Sequence, residues 1–539
     1  MLRGIIKIMD YIMHCMLGSR FMIKKIYNKV CLKKSYFILF MIILTLLSSV
    51  NLFHSGFIYS DDICFHLHRI MGLVDNIRIG KYVPVYFNYL NGFGYGNGLF
   101  YPDLFLFIPA IFNYLGLNLV FSLKIFILII NFFSIYFMYL CVYRISNDKK
   151  CAYASMFLYS ISTYRLIDFV ARGALGEMLS FVFLPLVLLG LYELFFGNSK
   201  NGYWLCIGLS CLCFSHVISF YLMVFLSILF IIINIKCLKD KERLYNLLFY
   251  IFLSILITIH FWLPMFEQLF TDSFNLGVNS RIFENIVPFY MLFFDLPLYG
   301  FSEYYPVGIG IVYYLFLFKN FRKIKMDKFV FSVTFLGFVS VLFCLLKVLW
   351  KISIIYKLFS VIQFPWRFYM FSSFFFIVAF SLFLKNINFS KYVKLFFVYL
   401  FVIFCANACI YFFNLYLNEP IENEIMMGEY LPKDYNESIY ESFSFNNIIY
   451  DRKNDILNVT LVNSVDYVEV PLIYYKGYVA CDDKCYEVFK TNRGLVGVKT
   501  DGNATDFKVW YKGTDVYNIT KYISFLGVLI LVYKIKKCR

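Results

Sequence analysis

Residues 35–69 read SYFILFMIILTLLSSVNLFHSGFIYSDDICFHLHR. The stretch 35–57 holds no Asp, Glu, Lys or Arg. It is long enough to cross a hydrocarbon core, which takes about 20 apolar residues. Lys24, Lys25, Lys29, Lys33 and Lys34 precede it, and the acids Asp61 and Asp62 follow it. A lysine flank stays in the cytoplasm, so the acids emerge on the outer side. The run is too long for a signal-peptide core, and no small-residue cleavage site follows, so it reads as an uncleaved anchor. Residues 1–34 then form a basic cytoplasmic N-terminus, with Met22 an alternative start.

The rest of the chain repeats this pattern. Hydrophobic residues make up 61% of the 539, against roughly 45–50% in soluble proteins, and mean hydropathy is +0.70. This composition excludes a soluble enzyme and a disordered chain. Fifty basic and thirty-four acidic residues give +16. The basic residues sit in short clusters between apolar runs, as cytoplasmic loops do, so nucleic acid is not the implied partner. Spans are expected near 35–57, 119–143, 151–163, 177–196, 203–215, 217–235, 246–264, 304–319, 329–346, 366–385, 394–413 and 521–533. These twelve spans place Arg144, Lys149, Lys200, Lys236, Arg322, Lys385 and Lys534 inside, together with both termini. A thirteenth span at 103–117 would turn the later lysines outward, so that stretch is read as interfacial or re-entrant. The expected organisation is a transmembrane domain over 35–413, with large external loops at 58–118 and 265–303. A further external region covers 414–520, and 521–539 is a last span with a basic tail.

The region 414–520 differs in kind. From Glu419 to Asp515 there are 17 acids and 10 bases, half of all the acids in the chain. Alternation at 457–462 and 467–470, with turns at Lys476-Gly477, Arg493-Gly494 and Asp501-Gly502-Asn503, predicts a small β-rich domain outside the membrane. Cys481 and Cys485 are placed to pair if the compartment oxidises, though spacing alone does not prove it. Most other cysteines lie in apolar runs and read as small buried hydrophobes.

Three external stretches carry candidate chemistry. A helix from about 63 to 80 puts Ile63, Leu67, Ile70, Val74 and Ile77 on one arc, with Asp62, His66 and Arg69 on the adjacent arc. An acid beside a cation can serve as a general base, whereas Ser60, Asp61 and Asp62 can equally cap the helix. Gly92-Phe93-Gly94-Tyr95-Gly96-Asn97-Gly98 predicts a tight loop, which either holds a ligand or only turns the chain. Arg165, Asp168 and Arg172 share a helical face, and Glu177 opens the next span. Arginines at a lipid surface suit phosphate, and a structural ion-pair cluster is the plain alternative. His216, Glu267, Gln363 and Arg367 fall on the same outer side in a topology set by lysines alone. Random scatter would put about half of these residues inside.

Asp62-x-x-Phe65-His66-x-x-Arg69, Gly92-x-Gly94-Tyr95-Gly96, Phe100-Tyr101-Pro102, Arg172-Gly173-Ala174-Leu175-Gly176-Glu177 and Gln363-Phe364-Pro365-Trp366-Arg367 together carry a resemblance. The chain resembles the bacterial multi-pass membrane proteins called 6-pyruvoyl-tetrahydropterin synthase-related. That group is similar to the GT-C superfamily of integral-membrane glycosyltransferases. The resemblance implies an all-α polytopic, GT-C-like core in the bacterial cytoplasmic membrane. It also implies sugar transfer from a polyprenyl-phosphate donor to a surface glycan, lipid or protein, in contact with membrane lipid. Asp62, or Asp61 beside it, would take the catalytic-acid position. Arg172 and Arg367 would hold the lipid phosphate, and His66 and Glu177 would position the substrates. A divalent metal, magnesium or manganese, is compatible with Asp62 and His66, but no third ligand is evident. A lipid-linked glycan flippase and a non-catalytic envelope assembly protein are the rival expectations.

Overall fold

Backbone that faces lipid must satisfy its own hydrogen bonds, and apolar runs do so as helices. In the computed structural model these helices are α1 (Lys34–Leu47), α2 (Ile63–Arg78), α3 (Leu119–Ser146), α4 (Lys149–Ser160), α5 (Leu175–Phe195), α6 (Tyr203–Cys213), α7 (Val217–Ile233), α8 (Lys241–Thr271), α9 (Lys328–Leu345), α10 (Phe368–Phe383) and α11 (Asp515–Cys538). The structure describes residues 34–54, 56–58, 60–276, 282–289, 326–386, 416–417, 429–435, 445, 447–500, 502 and 506–538. The spans expected at 304–319 and 394–413 lie outside the described residues.

Among the described residues, six helices are long and apolar enough to cross a membrane: α3, α5, α8, α9, α11, and α10 with its preceding turn. The twelve-span expectation is therefore met only in part. α4 and α6 have 12 and 11 residues, roughly 18 and 17 Å at 1.5 Å per residue, which is short of the bilayer core. α1 ends at Leu47, where the apolar run was expected to continue to 57. The Ser48 hydroxyl donates to the Thr45 carbonyl at 3.1 Å, a local bond of the kind that competes with helix continuation. A 3-10 turn, Val50–Phe53, and strand β1, Phe57–Ile58, follow. α11 begins at Asp515, ahead of the expected 521, because the Thr514 hydroxyl accepts from the Tyr517 amide at 3.1 Å and starts the helix. The stretch 103–117 forms a 3-10 turn, Leu104–Leu106, and the short helix Phe107–Tyr114, with Leu104, Ile111, Tyr114 and Leu115 exposed.

α5 is the hub, packed between α3 and α6, while α9 lies on α10 and α8 on α11. Small residues permit the closest crossing. A Cβ on Gly208 would stand 2.6 Å from the Val187 amide nitrogen, and one on Gly190 would enter the Leu205 backbone. The helices join two differently charged ends. At one end Arg144 meets Glu193 at 2.6 Å, Arg243 donates to the Leu194 carbonyl at 2.6 Å and Lys385 donates to the Ser146 carbonyl at 3.1 Å. The opposite end carries Asp62, Arg172, Glu177 and the β-strands.

Most of those strands form a small region near the C-terminus. They are β3 (Ile448–Lys453), β4 (Ile456–Leu461), β5 (Tyr467–Ile473), β6 (Tyr478–Cys481), β7 (Cys485–Tyr486), β8 (Val488–Lys490), β9 (Leu495–Lys499) and β10 (Asp506–Tyr511). One sheet has the order β3-β4-β10-β6-β7 and the other β5-β9-β8, with every pairing antiparallel. Val468, Val470, Val496, Val498, Leu457, Val459 and Val509 fill the interior. Cys481 and Cys485 form a disulfide. β2 (Tyr416–Leu417) stands apart from these sheets and pairs antiparallel with β1, Phe57 opposite Leu417.

Candidate functional site

Asp62 stands at the cap position of α2 with φ −107° and ψ −3°, and its side chain makes no cap hydrogen bond. A capping acid needs an extended backbone to fold its oxygen over the first turn; this helical conformation directs the carboxylate elsewhere. The capping alternative therefore fails for Asp62. Its amide donates to the Arg172 carbonyl at 2.9 Å, which ties α2 to the turn before α5. The half-buried carboxyl makes no ion pair among the described residues. Burial pushes its pKa up, the Arg172 and Arg367 guanidiniums pull it back down, and Asp61 and Glu177 add to the rise. Asp61 is exposed.

Behind Asp62 lies a buried ionic cluster. Asp168–Arg172 forms a single π-helical turn closed by Gly173 at φ +61°, a conformation natural to glycine. The wide turn aims Arg172 at both Asp168 (2.5 Å) and Glu177 (2.9 Å). The other Glu177 oxygen accepts from Arg367 Nε at 3.0 Å, and the Tyr164 hydroxyl donates to Glu177 at 2.7 Å. Arg367 also donates to the Ile362 carbonyl and to the Gln363 side chain at 2.8 and 3.2 Å. The Arg172 guanidinium lies 4.5 Å from the Trp366 ring centre. Arg172 and Arg367 thus find their ion-pair partners in Asp168 and Glu177, without Asp62.

α2 supplies the adjoining wall. Arg69 pairs with Asp103 at 2.8 Å, donates to the Pro102 carbonyl at 2.8 Å and lies 3.9 Å from the Tyr101 ring centre. It also stands 3.3 Å from His66 Nδ1. Burial lowers the His66 pKa, with Arg69 and His216 adding to the effect, so its ring is neutral. His216 caps α7 through Ser219, and burial pushes its pKa down to about 3. The Tyr101 ring stands 6.1 Å from both imidazoles. A small cleft opens here, polar at His66, Arg69 and Ser215 and apolar at Phe105, Leu175 and Phe214.

The structure thus brings Asp62, Asp168, Arg172, Glu177, Gln363 and Arg367 together, with His66, Arg69 and His216 beside them. Two expected members lie elsewhere. Arg165 bonds to Asn131 and to Ser134 (2.8 Å) on α3 and to the Ser160 carbonyl (3.0 Å). It precedes the π turn, which breaks the regular helical face that would have grouped it with Arg172. Glu267 pairs with Lys476 at 3.1 Å and accepts from Thr514 at 2.5 Å, fastening α8 to the β region. The Gly92–Gly98 loop also serves the β region: Phe93 O accepts from the Ile473 amide at 2.9 Å. Sequence reasoning missed Glu429. Burial raises its pKa, Asp62 adds to the rise and Arg367 opposes it, which places the Glu429 carboxyl in the field of the site. Its backbone oxygen accepts from Tyr95 at 2.7 Å, and only the surplus of acids in its region hinted at it. Among the described residues no three His, Cys, Asp or Glu side chains are grouped to hold a metal ion.

A Lactococcus lactis subsp. cremoris (strain MG1363) protein, described as uncharacterized, is 27% identical over 314 residues, 54% of this chain and 51% of that one. The chain therefore spans about half the length of the curated relative it matches. No family model matches the chain.

Proposed function

We propose that the chain is a polytopic membrane glycosyltransferase that uses a polyprenyl-phosphate sugar donor on the outer face of the bacterial cytoplasmic membrane. The carrying observation is Asp62: a half-buried carboxyl, freed from helix capping, beside an ionic cluster whose ion pairs form without it. In this reading Asp62 takes the proton of an acceptor hydroxyl. The acceptor oxygen then bonds to the anomeric carbon, the bond from that carbon to the lipid phosphate oxygen breaks, and the phosphate leaves with the electron pair. Arg172 and Arg367 are held in place by Glu177, so they can meet the developing phosphate charge without reorganising. The neutral His66 and His216 line the adjoining wall, where substrate hydroxyls would bind. The sequence resemblance to GT-C-like proteins supports the same reading.

The two ends of the helices support this orientation. Arg144, Arg243 and Lys385 crowd the end opposite Asp62, which the positive-inside tendency assigns to the cytoplasm. The Cys481–Cys485 disulfide suits an oxidising outer compartment. The test is the sugar composition of surface polymers in cells lacking the chain, complemented at equal membrane level with wild type, Asp62→Asn or Asp61→Asn. A sugar restored by wild type and by Asp61→Asn, but not by Asp62→Asn, supports the proposal. Equal restoration by Asp62→Asn removes Asp62 from catalysis and shifts the weight to a transport or assembly role.

A further inference from the structure

Tyr475 lies between β5 and β6 and is fully buried. Its ring fills the space above Gly96, where a Cβ would stand 2.5 Å from a ring carbon. The ring is parallel to Phe274 within 1° at 5.9 Å and tilted against Phe100 at 6.5 Å. Its hydroxyl donates to the Tyr430 carbonyl at 3.1 Å. One side chain of the β region therefore touches the glycine loop, the segment after α8 and the strip that carries Glu429. Its position is fixed from behind: Gln268 on α8 grips the Lys476 backbone with two bonds of 2.7 and 3.0 Å.

The contacts continue into the site. Phe100 stacks on Tyr430 within 6° at 5.4 Å. Its chain neighbour is Tyr101, whose ring carries the Arg69 guanidinium. The Tyr101 hydroxyl occupies the space a Cβ on Gly176 would need. We infer that Tyr475 is a positioning residue through which the β region holds the Tyr101–Arg69 wall against the start of α5. Its effect on sugar transfer rests on the function proposed above; the mechanical coupling does not. The glycine at 96 is then a seat for the tyrosine ring, which explains the tight loop without a ligand.

Hydrogen exchange of the full chain in lipid nanodiscs, with Tyr475→Ala, Tyr475→Phe, Gly96→Ala and the Gly96→Ala/Tyr475→Ala pair, tests the coupling. Tyr475→Ala is expected to speed amide exchange about tenfold at 95–103 and 63–70 while 185–210 stays unchanged. Tyr475→Phe keeps the ring and is expected to retain wild-type protection. Gly96→Ala alone should disturb the same amides, and adding it to Tyr475→Ala should do no further harm, because the methyl enters vacated space. Unchanged exchange at 63–70 in Tyr475→Ala, or an equal rise at 185–210, overturns the inference. In the transfer assay Tyr475→Ala should lower kcat more than it raises KM, with Tyr475→Phe rescuing. If exchange responds as expected while the wild-type chain transfers no sugar, the coupling stands and the transferase reading falls.

Discussion

Replacing Glu177 by Gln isolates the ion pair that organises the site. Glu177 receives Arg367 at 3.0 Å, Arg172 at 2.9 Å and Tyr164 at 2.7 Å. After the change Arg172 keeps Asp168 at 2.5 Å. Arg367 keeps a carbonyl at 2.8 Å and an amide oxygen at 3.2 Å, so among the described residues one buried guanidinium is left without a hydrogen-bonded carboxylate. Removing one partner of a buried pair costs about 3–5 kcal/mol. The retained neutral bonds offset part of this, which puts Glu177→Gln near 3 kcal/mol, roughly the lower bound of that range. Arg367→Gln is expected to cost a similar amount. The double variant orphans neither charge, so it should be more stable than the sum of the two by about 2–3 kcal/mol. Equilibrium unfolding of the purified chain in mixed micelles, followed by circular dichroism, measures all three variants. Additivity within about 0.5 kcal/mol would refute a shared pair and leave the two residues as independent packing elements.

Asp62→Asn has an unusual sign. Burial raises the folded-state pKa above the ordinary 3.8, so the stability linked to the protonated carboxyl is present below about 3.8 and lost as pH rises through the raised value. Asp62→Asn is therefore expected to melt higher than wild type at pH 7, with the difference fading toward acid; an equal or lower melting temperature at pH 7 contradicts this. Gly190→Val drives a side chain into the Leu205 backbone and should destabilise by about 3 kcal/mol, the upper end of ordinary overpacking. A wild-type unfolding midpoint would mean α5 and α6 do not cross there. In intact cells a membrane-impermeant maleimide should label the peptide containing Cys485 only after reduction. Labelling that requires permeabilised cells would place the β region inside.

Much of the fold was written in local patterns. The runs at 119–143, 177–196, 246–264, 329–346 and 366–385 each fall on α3, α5, α8, α9 and α10, because an uninterrupted apolar run has few other ways to satisfy its backbone. The alternation at 457–462 and 467–470 became β4 and β5 for the same local reason. Lengths failed where apolarity outlasted helix. Residues 35–57 carry no Asp, Glu, Lys or Arg, yet serines and an asparagine near 48–51 end α1 early. The runs that became α4 and α6 are helical but too short to cross alone. The pairing of β1 with β2 joins segments more than three hundred residues apart, and a two-residue strand leaves no periodic signal.

The site was legible as a set of residues but not as a set of partners. Helical spacing put His66 and Arg69 on one arc, and both are buried there. Spacing could not say that Arg69 would be neutralised by Asp103, because that contact depends on how the glycine loop returns to α2. Arg165 was grouped with Arg172 by assuming a uniform turn, and the π turn at 168–172 removed the assumption. What remains after the pairing is informative in itself. Arg172 and Arg367 are matched by Asp168 and Glu177, and Arg69 is matched by Asp103. Asp62 is required by none of these pairs and makes no cap, and its burial opposes its ionised form. A folding account alone therefore favours an amide at position 62. An acid that stands where burial opposes its charge more than the nearby guanidiniums favour it is the kind of local cost that proteins carry at sites of chemistry, and this makes Asp62, more than the arginines behind it, the residue on which the functional proposal stands.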